Sequence, residues 1–149
     1  MRFFGSFVLP LFVGDAVADK TEAETCLRTK IWDGYNEGWA VRTAVTAELK
    51  ENEHRIYLVT LYAGNEYRFQ VCGDPNVKDV DLILHDNTGK EMMRDSTDDR
   101  EPMLSYKPTV TDTYYVAVYA ASLEKPAAGG ADPKAQAQAA GVSLAVTYR

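Results

Sequence analysis

The stretch LYAGNEYRFQVCGDPNVKDVDLILHDNTG, Leu61–Gly89, decides the predicted fold. Within it, apolar side chains alternate with mostly polar ones in two places, at Tyr67, Phe69 and Val71 and again at Val80, Leu82 and Leu84. A period of two predicts two half-buried β-strands. Gly, Asn and Asp lie before the first strand and after the second, and these residues tolerate the positive φ angles that tight turns need.

Further segments with strand character bring the predicted number of strands to about eight. They are Ala40–Leu49, Arg55–Tyr62, Glu91–Asp95, Pro102–Tyr106, Tyr114–Ala120 and Val142–Tyr148. Short strands with regular turns predict a mainly β protein, an antiparallel, jelly-roll-like β-sandwich. Arg55–Tyr62 is apolar on both faces, which predicts a central strand. The proline that opens Pro102–Tyr106 predicts an edge strand or a strand start.

One short amphipathic helix precedes the strands, in the N-terminal segment 19–39. Thr21 and Glu24 have the spacing of a capping box, and the helix is predicted to run from Thr21 to Trp32 and to end near Gly34. An apolar stripe at helical spacing should pack on the edge or end of the sandwich; it comprises Ala23, Cys26, Leu27, Ile31 and Gly34.

Two other segments have competing interpretations. The aromatic side chains of Trp32, Tyr35 and Trp39 predict a plug between helix and sheet, and a binding platform is the alternative. The Ala-rich segment 121–140 contains Asp132-Pro133 and is followed by Gly141, a helix-start and helix-stop pattern. It predicts a mobile loop with about two turns of helix and no functional role.

Three motifs in this order, AGNEYRFQV, DVDLILHDNTGKE and TDTYYVAVY, resemble the bacterial pre-peptidase C-terminal domain. The resemblance covers about Arg55–Ala121 and a closing strand at Val142–Tyr148. It implies a compact β-sandwich, here residues 40–149, of a kind appended to secreted proteins that are often peptidases. This chain differs from that arrangement because it contains no peptidase and has an added N-terminal segment.

Composition and charge limit the class of protein. The chain has 149 residues, of which 46% are hydrophobic and 26% charged, which predicts one globular domain over residues 19–149. The net charge of −6 and the pI of about 4.9 argue against nucleic acid or anionic lipid as the main partner.

The first 18 residues have the layout of a secretory signal peptide. Arg2 precedes the apolar run Phe3–Gly14, and Ala16-Val17-Ala18 forms a small-x-small cleavage site before Asp19. A membrane anchor is the alternative, but the run is shorter than the ~20 residues that span a bilayer. We therefore predict cleavage after Ala18, no membrane association afterwards, and a secreted or periplasmic protein.

The two cysteines of the mature chain predict a disulfide. Cys26 and Cys72 are an even pair in an exported protein, and no C-x-x-C redox motif is present. Two separate buried thiols are the alternative interpretation. A bond between them would connect the N-terminal helix to the end of the Tyr67–Val71 strand.

Acidic residues around the second strand of the opening stretch and in the loop after Glu91–Asp95 suggest a metal site. The carboxylates concerned are Asp74, Asp79, Asp81, Asp86, Asp95, Asp98, Asp99 and Glu101. Calcium takes six to eight oxygen ligands, and we predict weak calcium binding at Asp79, Asp81, Asp98 and Asp99 if a metal binds. The alternative is that these carboxylates accept hydrogen bonds from turn amides or are simply solvated.

Sequence signatures of enzymes are missing. The chain has no G-x-S-x-G, no H-E-x-x-H and no Gly-rich phosphate loop, and its two histidines, His54 and His85, have no neighbouring nucleophile in sequence. The sequence therefore predicts no catalytic residues and no cofactor other than the possible calcium. It predicts an exported, non-catalytic module that binds a protein, polysaccharide or cell-surface partner. The alternative is an enzyme inhibitor, or a hydrolase with a site built from loops.

Overall fold

The computed structural model describes residues 18–125 and 139–149. One helix, α1 (Lys20–Tyr35), precedes eight strands. The strands are β1 (Ala40–Leu49), β2 (His54–Leu61), β3 (Tyr67–Gly73), β4 (Val77–His85), β5 (Glu91–Asp95), β6 (Met103–Tyr106), β7 (Asp112–Leu123) and β8 (Ala140–Tyr148). The predicted signal peptide, apart from Ala18, and the centre of the Ala-rich segment lie outside the described residues.

The strands form two four-stranded antiparallel sheets that pack face to face. One sheet has the order β1-β8-β3-β6 and the other the order β2-β7-β4-β5. The predicted antiparallel β-sandwich with one short helix is confirmed.

The core lies between the sheets, where the predicted alternation is confirmed. Tyr67, Phe69 and Val71 of β3 are at most 1% exposed, and Val80, Leu82 and Leu84 of β4 are fully buried. Because successive strand side chains point to opposite faces, each strand contributes every second residue to this core. Strands β7 and β8 lie at the centres of their sheets. By the same rule their side chains Val116, Val118, Leu144 and Val146 point into the core.

Helix α1 packs across the outer face of the first sheet, on β8 and its neighbours β1 and β3. The predicted stripe makes this contact, with Ala23, Leu27 and Gly34 buried. The N-cap is Asp19 rather than Thr21, because the Asp19 side chain accepts a hydrogen bond from the Glu22 amide at 3.0 Å. No helix in the described part of the chain is both long and apolar enough to cross a bilayer.

The prediction that Arg55–Tyr62 is a central strand is wrong. Strand β2 lies at the edge of its sheet and pairs with β7 alone among the described strands. Its outward residues Ile56 and Leu58 are apolar yet 53% and 65% exposed. The two-sided apolar pattern therefore reflects an uncovered surface and not burial on both faces. Strand β6 is an edge strand, as the proline at position 102 predicted.

Candidate functional site

The two outer faces of the sandwich differ in whether a described helix or strand packs on them. Helix α1 lies over the first sheet, whereas no described element packs on the outer face of the second. We call this second surface the open face; it comprises His54, Ile56 and Leu58 of β2, Tyr115, Ala117 and Tyr119 of β7, and Asp81, Ile83 and His85 of β4.

Strand register arranges the open face in rows across three strands. In the central row Ile56, Ala117 and Ile83 are opposite one another, and in the next row Leu58, Tyr115 and His85 are. The third row ends in polar groups, where the His54 ring stacks on Tyr119 at 6.4 Å between centroids and Asp81 lies beyond it. The result is an apolar and aromatic centre with a polar rim, which is the composition of protein-binding surfaces.

A shallow cleft of about 350 Å³ lies at one end of the open face. It is lined by Ile56, His85, Asn87, Thr88, Gly89 and Tyr115. The turn that forms its wall is held rigidly. Asp86 Oδ1 accepts hydrogen bonds from the Thr88 amide at 2.9 Å, the Thr88 hydroxyl at 2.6 Å and the Lys90 amide at 3.0 Å. Gly89 has a φ of +87°, a conformation that other residues adopt only with strain.

The edge of β2 borders a second opening. An apolar crevice of about 150 Å³ lies between the edge strands of the two sheets, lined by Thr43, Val45, Tyr57, Leu58, Val59, Val116, Leu144 and Val146. Strand β1 has a bulge between Val41 and Thr43, whereas β2 pairs with β7 without any register shift. Strand β2 contains no proline, and its one inward-side charge, Arg55, lies at its exposed start, so the rest of this regular edge is a template for another strand.

Among known proteins, no family model and no curated sequence matches this chain. Solved structures do share its fold. One is PliG of Aeromonas hydrophila, described as a periplasmic lysozyme inhibitor of g-type lysozyme, with 14% identity, 74% of this chain and 88% of that chain covered, and a TM-score of 0.50. Another is the pre-peptidase C-terminal domain of a collagenase from Bacillus anthracis, with 12% identity, 71% and 89% coverage and a TM-score of 0.49.

At such identities the likeness concerns the fold alone. The β-sandwich that the resemblance to the pre-peptidase C-terminal domain implies is present as two packed antiparallel sheets, and PliG shares this fold.

The acidic residues form a corner beside the open face. Asp79 and Asp81 lie on the outward side of β4, and Asp98 and Asp99 lie in the β5–β6 loop, which is tied to β4 by a hydrogen bond from the Val80 amide to the Asp99 carbonyl at 2.8 Å. Burial raises the pKa of Asp79, and the charges of Asp81, Asp98 and Asp99 raise it further. Burial also raises the pKa of Asp81, although Arg94 opposes this shift.

The carboxylates of this corner lie near one another, but their oxygens do not converge on one point as metal ligands would. Oδ1 of Asp79 and Oδ1 of Asp81 are both buried without a hydrogen-bond partner among the described residues, and protonated Asp79 would donate to Asp81. No three carboxylates of the predicted set bring their oxygens within 4.8 Å of one another; in the described chain only Cys26, Cys72 and Glu101 form such a group. Two of its members are disulfide sulfurs, which are not thiolate ligands. Calcium binding stays a prediction.

Other acidic residues of the predicted set have structural partners. Asp86 and Asp95 accept hydrogen bonds from backbone amides of their own loops. Glu101 forms a salt bridge with Lys30 at 2.8 Å. Asp74 is 1% exposed and lies under the start of α1. For these residues the alternative interpretation, hydrogen bonding within turns and loops, describes the structure better than a metal site.

The predicted disulfide is present. Cys26 and Cys72 are bonded, with 6.0 Å between their Cα atoms, within the usual range for a disulfide. Leu27 and Ala145 bury the bridge, and Ile31 packs against it, so that it fastens α1 to the end of β3.

The predicted aromatic plug is only partly correct. Trp39 is 4% exposed, with the guanidinium groups of Arg68 and Arg149 at 4.3 Å and 4.5 Å from its ring. Trp32 and Tyr35 instead project from the C-terminal half of α1, 60% and 63% exposed, in an edge-to-face pair. The pair lies on the helix-covered side of the sandwich, opposite the open face.

The apolar residues of the open face were not predicted as a site. The available signal was the apolar outward side of Arg55–Tyr62, with Ile56 and Leu58 two positions apart in a strand. Sequence alone assigned that side to a second buried face, because it does not show which strand ends a sheet.

Proposed function

We propose that this protein is an exported, non-catalytic β-sandwich module that binds a protein partner through the open face. The observation that carries the proposal is the exposure of Ile56 and Leu58, 53% and 65%, on the edge strand of an uncovered sheet face. Contiguous exposed apolar surface on a soluble protein commonly marks an interaction site.

The edge of β2 supports a particular mode of binding. An extended segment of the partner can pair with the free edge of β2, so that main-chain hydrogen bonds supply affinity and side-chain contacts supply specificity. Ile56 and Leu58 would contact outward side chains of that segment. The crevice between β1 and β2 would accept one apolar side chain from its inward face.

Charge indicates what kind of partner surface fits. The chain carries a net charge of −6, and Asp79 and Asp81 lie at the border of the open face. A partner with basic residues flanking an apolar segment would be attracted and oriented by this charge. The same basic residues would relieve the repulsion among the carboxylates at this corner.

The non-catalytic part of the proposal is supported by how the reactive side chains are used. Both cysteines are joined in the disulfide, and His54 stacks on Tyr119. His85 lines the open cleft, where Asn87 and Thr88 are its polar neighbours. The disulfide and the N-terminal sequence pattern support export.

A second candidate, an enzyme inhibitor, is favoured by one observation. The rigid turn at Asp86–Gly89 stands beside the cleft, and a preorganised loop is suited to occupy an enzyme's active site because little entropy is lost on binding. PliG, which shares the fold, is a lysozyme inhibitor. Measuring g-type lysozyme activity with increasing amounts of this protein tests the candidate, and unchanged activity at micromolar concentration rejects it.

The binding proposal is tested by immobilising the oxidised protein and passing over it the secreted or periplasmic proteins of its own organism. The proteins retained on wild type and on two variants are then compared. Leu58→Asp introduces a charge on the β2 side of the open face, and Val110→Asp is the matched control, because Val110 is 62% exposed but lies in a loop outside this face. Wild type and Val110→Asp should retain the same protein, and Leu58→Asp should lose it. Equal retention by Leu58→Asp would contradict the proposal.

A further inference from the structure

The buried carboxylate of Asp74 is the starting observation. Asp74 is 1% exposed, and its Oδ2 accepts hydrogen bonds from the Asp19 nitrogen at 2.7 Å and the Gly141 nitrogen at 2.8 Å. Asn76 donates to Oδ1 from its backbone at 2.9 Å and to Oδ2 from its side chain at 3.3 Å. No lysine or arginine within residues 18–125 and 139–149 forms a salt bridge with it.

A buried carboxylate surrounded by neutral donors lacks the opposite charge that normally accompanies it. Taking an ionised group out of water is costly unless the group is both hydrogen-bonded and paired. Asp74 satisfies the first condition, and the residue that contacts it most closely, Asp19, lies directly after the predicted cleavage site.

Cleavage would change the chemistry of this contact. Water hydrolyses the Ala18–Asp19 peptide bond, the carbonyl carbon of Ala18 becomes a carboxylate, and the nitrogen of Asp19 becomes an α-amino group. Such a group has an ordinary pKa of about 7.7–8.0 and is largely protonated at neutral pH. The neutral amide that bonds Asp74 is thereby replaced by an ammonium at the same position.

We propose that cleavage after Ala18 creates an α-ammonium on Asp19 that forms a buried ion pair with Asp74, so that the processed chain is more stable than an extended one. The proposal rests on the predicted cleavage site and not on the binding function of the open face.

Close packing fixes the new terminus in place. A Cβ built on Gly141 would lie 2.8 Å from the carbonyl carbon and oxygen of Asp19 and 2.9 Å from the Lys20 nitrogen. These are backbone atoms that cannot move aside without moving α1. Glycine at this position of β8 therefore lets the Asp19 backbone lie against the strand, within reach of Asp74.

The helix itself opposes the ion pair. The N-terminus of α1 carries a partial positive charge, which disfavours an ammonium beside it. The Asp19 side chain caps the helix and lies near the same terminus. Two carboxylates, those of Asp19 and Asp74, then balance one ammonium and the helix end, and the net interaction is attractive.

The experiment compares three oxidised chains: one that begins at Asp19 with a free amine, one that begins at Asp19 with an acetylated amine, and one that begins at Ala18. Acetylation keeps an N–H on Asp19 and removes the charge, whereas extension keeps that N–H and moves the charge to Ala18. Each chain is made with Asp74 and with Asp74→Asn, and Asp99→Asn serves as the control at an acidic residue that forms no hydrogen bond with Asp19 or Asp74 in the described structure. Thermal unfolding at pH 7 is the readout.

The free-amine chain should melt at least ~4 °C above the acetylated and extended chains, since breaking a buried charge pair is costly. This difference should vanish in Asp74→Asn and persist in Asp99→Asn. Equal or lower melting temperatures for the free amine would overturn the proposal, as would an equal difference in the Asp74→Asn chains. The comparison with Asp74 intact decides the question even if Asp74→Asn fails to fold.

Discussion

At the scale of single residues, Asp79 in β4 and Asp86 in the turn that follows β4 should affect stability with opposite sign. The pKa of Asp79 is raised by burial and by adjacent carboxylates, whereas hydrogen bonds from Thr88 and Lys90 lower the pKa of Asp86. A raised carboxylate pKa means that the folded state binds its proton more tightly than the unfolded state does.

The contribution of Asp79 to stability is therefore largest below its ordinary pKa of 3.8 and is lost as pH rises through the folded value. Asp79→Asn removes the ionised form, and we expect it to melt higher than wild type at pH 7. Near pH 3 the difference should shrink, because both chains are then neutral at this position. Thermal unfolding from pH 3 to pH 8 measures it.

Asp86→Asn is the matched control. In wild type the pKa of Asp86 is lower in the folded state than in the unfolded state. Asp86 therefore stabilises the fold above its unfolded pKa, and this stabilisation is lost as pH falls through the folded pKa. Asp86→Asn should thus melt lower than wild type at pH 7 and approach it in acid. If the two variants shift in the same direction at pH 7, the assignment of these environments is wrong.

Calcium should act on the same corner. If Asp79, Asp81, Asp98 and Asp99 rearrange around the ion, calcium at ten times its Kd stabilises the fold by about 1.4 kcal/mol. Melting temperature should then rise with millimolar calcium and not with magnesium, and Asp79→Asn should abolish the rise. Identical melting curves in calcium and in excess chelator would reject a calcium site here.

At the scale of secondary-structure elements, the disulfide determines whether α1 stays docked. A helix of 16 residues is marginally stable alone in water. The bridge joins residues 46 apart, and the chain-entropy model gives about 3–4 kcal/mol for a loop of this length.

We expect the free energy of unfolding, measured in urea, to be about 3–4 kcal/mol lower in the double variant Cys26→Ala, Cys72→Ala than in wild type. Trypsin should also cut it faster after Arg28 and Lys30 than it cuts wild type. A loss below about 1 kcal/mol, with unchanged cleavage, would mean that packing of Leu27 and Ala23 alone holds the helix.

The strands show what sequence can and cannot predict. Alternation located β3 and β4, since a period of two follows directly from strand geometry. The place of each strand in its sheet is a non-local property. Arg55–Tyr62 was assigned to a sheet centre because of its two apolar faces, yet β2 is an edge strand.

At the scale of the whole molecule, the sequence predicted the scaffold better than the site. The fold and the disulfide follow from local patterns, namely strand alternation and paired cysteines. The open face depends on which sheet α1 covers and on which strands share the other sheet. The predicted bond from Cys26 to Cys72 indicated the sheet that contains β3, but the strand order that leaves β2 at the edge of the other sheet is non-local. Sequence directed attention to the acidic residues instead, because carboxylates carry recognisable chemistry and exposed Ile and Leu do not.

The proposed binding function therefore rests on the fact that helix α1 covers only one of the two sheets in the described structure. One sheet has its helix, and the other presents an apolar centre, a regular free edge and an acidic border. The exposed pair Trp32 and Tyr35 on the opposite side provides the rival surface.

Amide hydrogen exchange of the oxidised protein, measured with and without the captured partner, tests the central claim most directly. We predict that added protection is concentrated in β2, His54–Leu61, and in the adjoining outward positions of β7, because the partner covers the open face and pairs with its edge. Added protection at the C-terminal half of α1, around Trp32 and Tyr35, with β2 exchanging as in the free protein, would contradict the account.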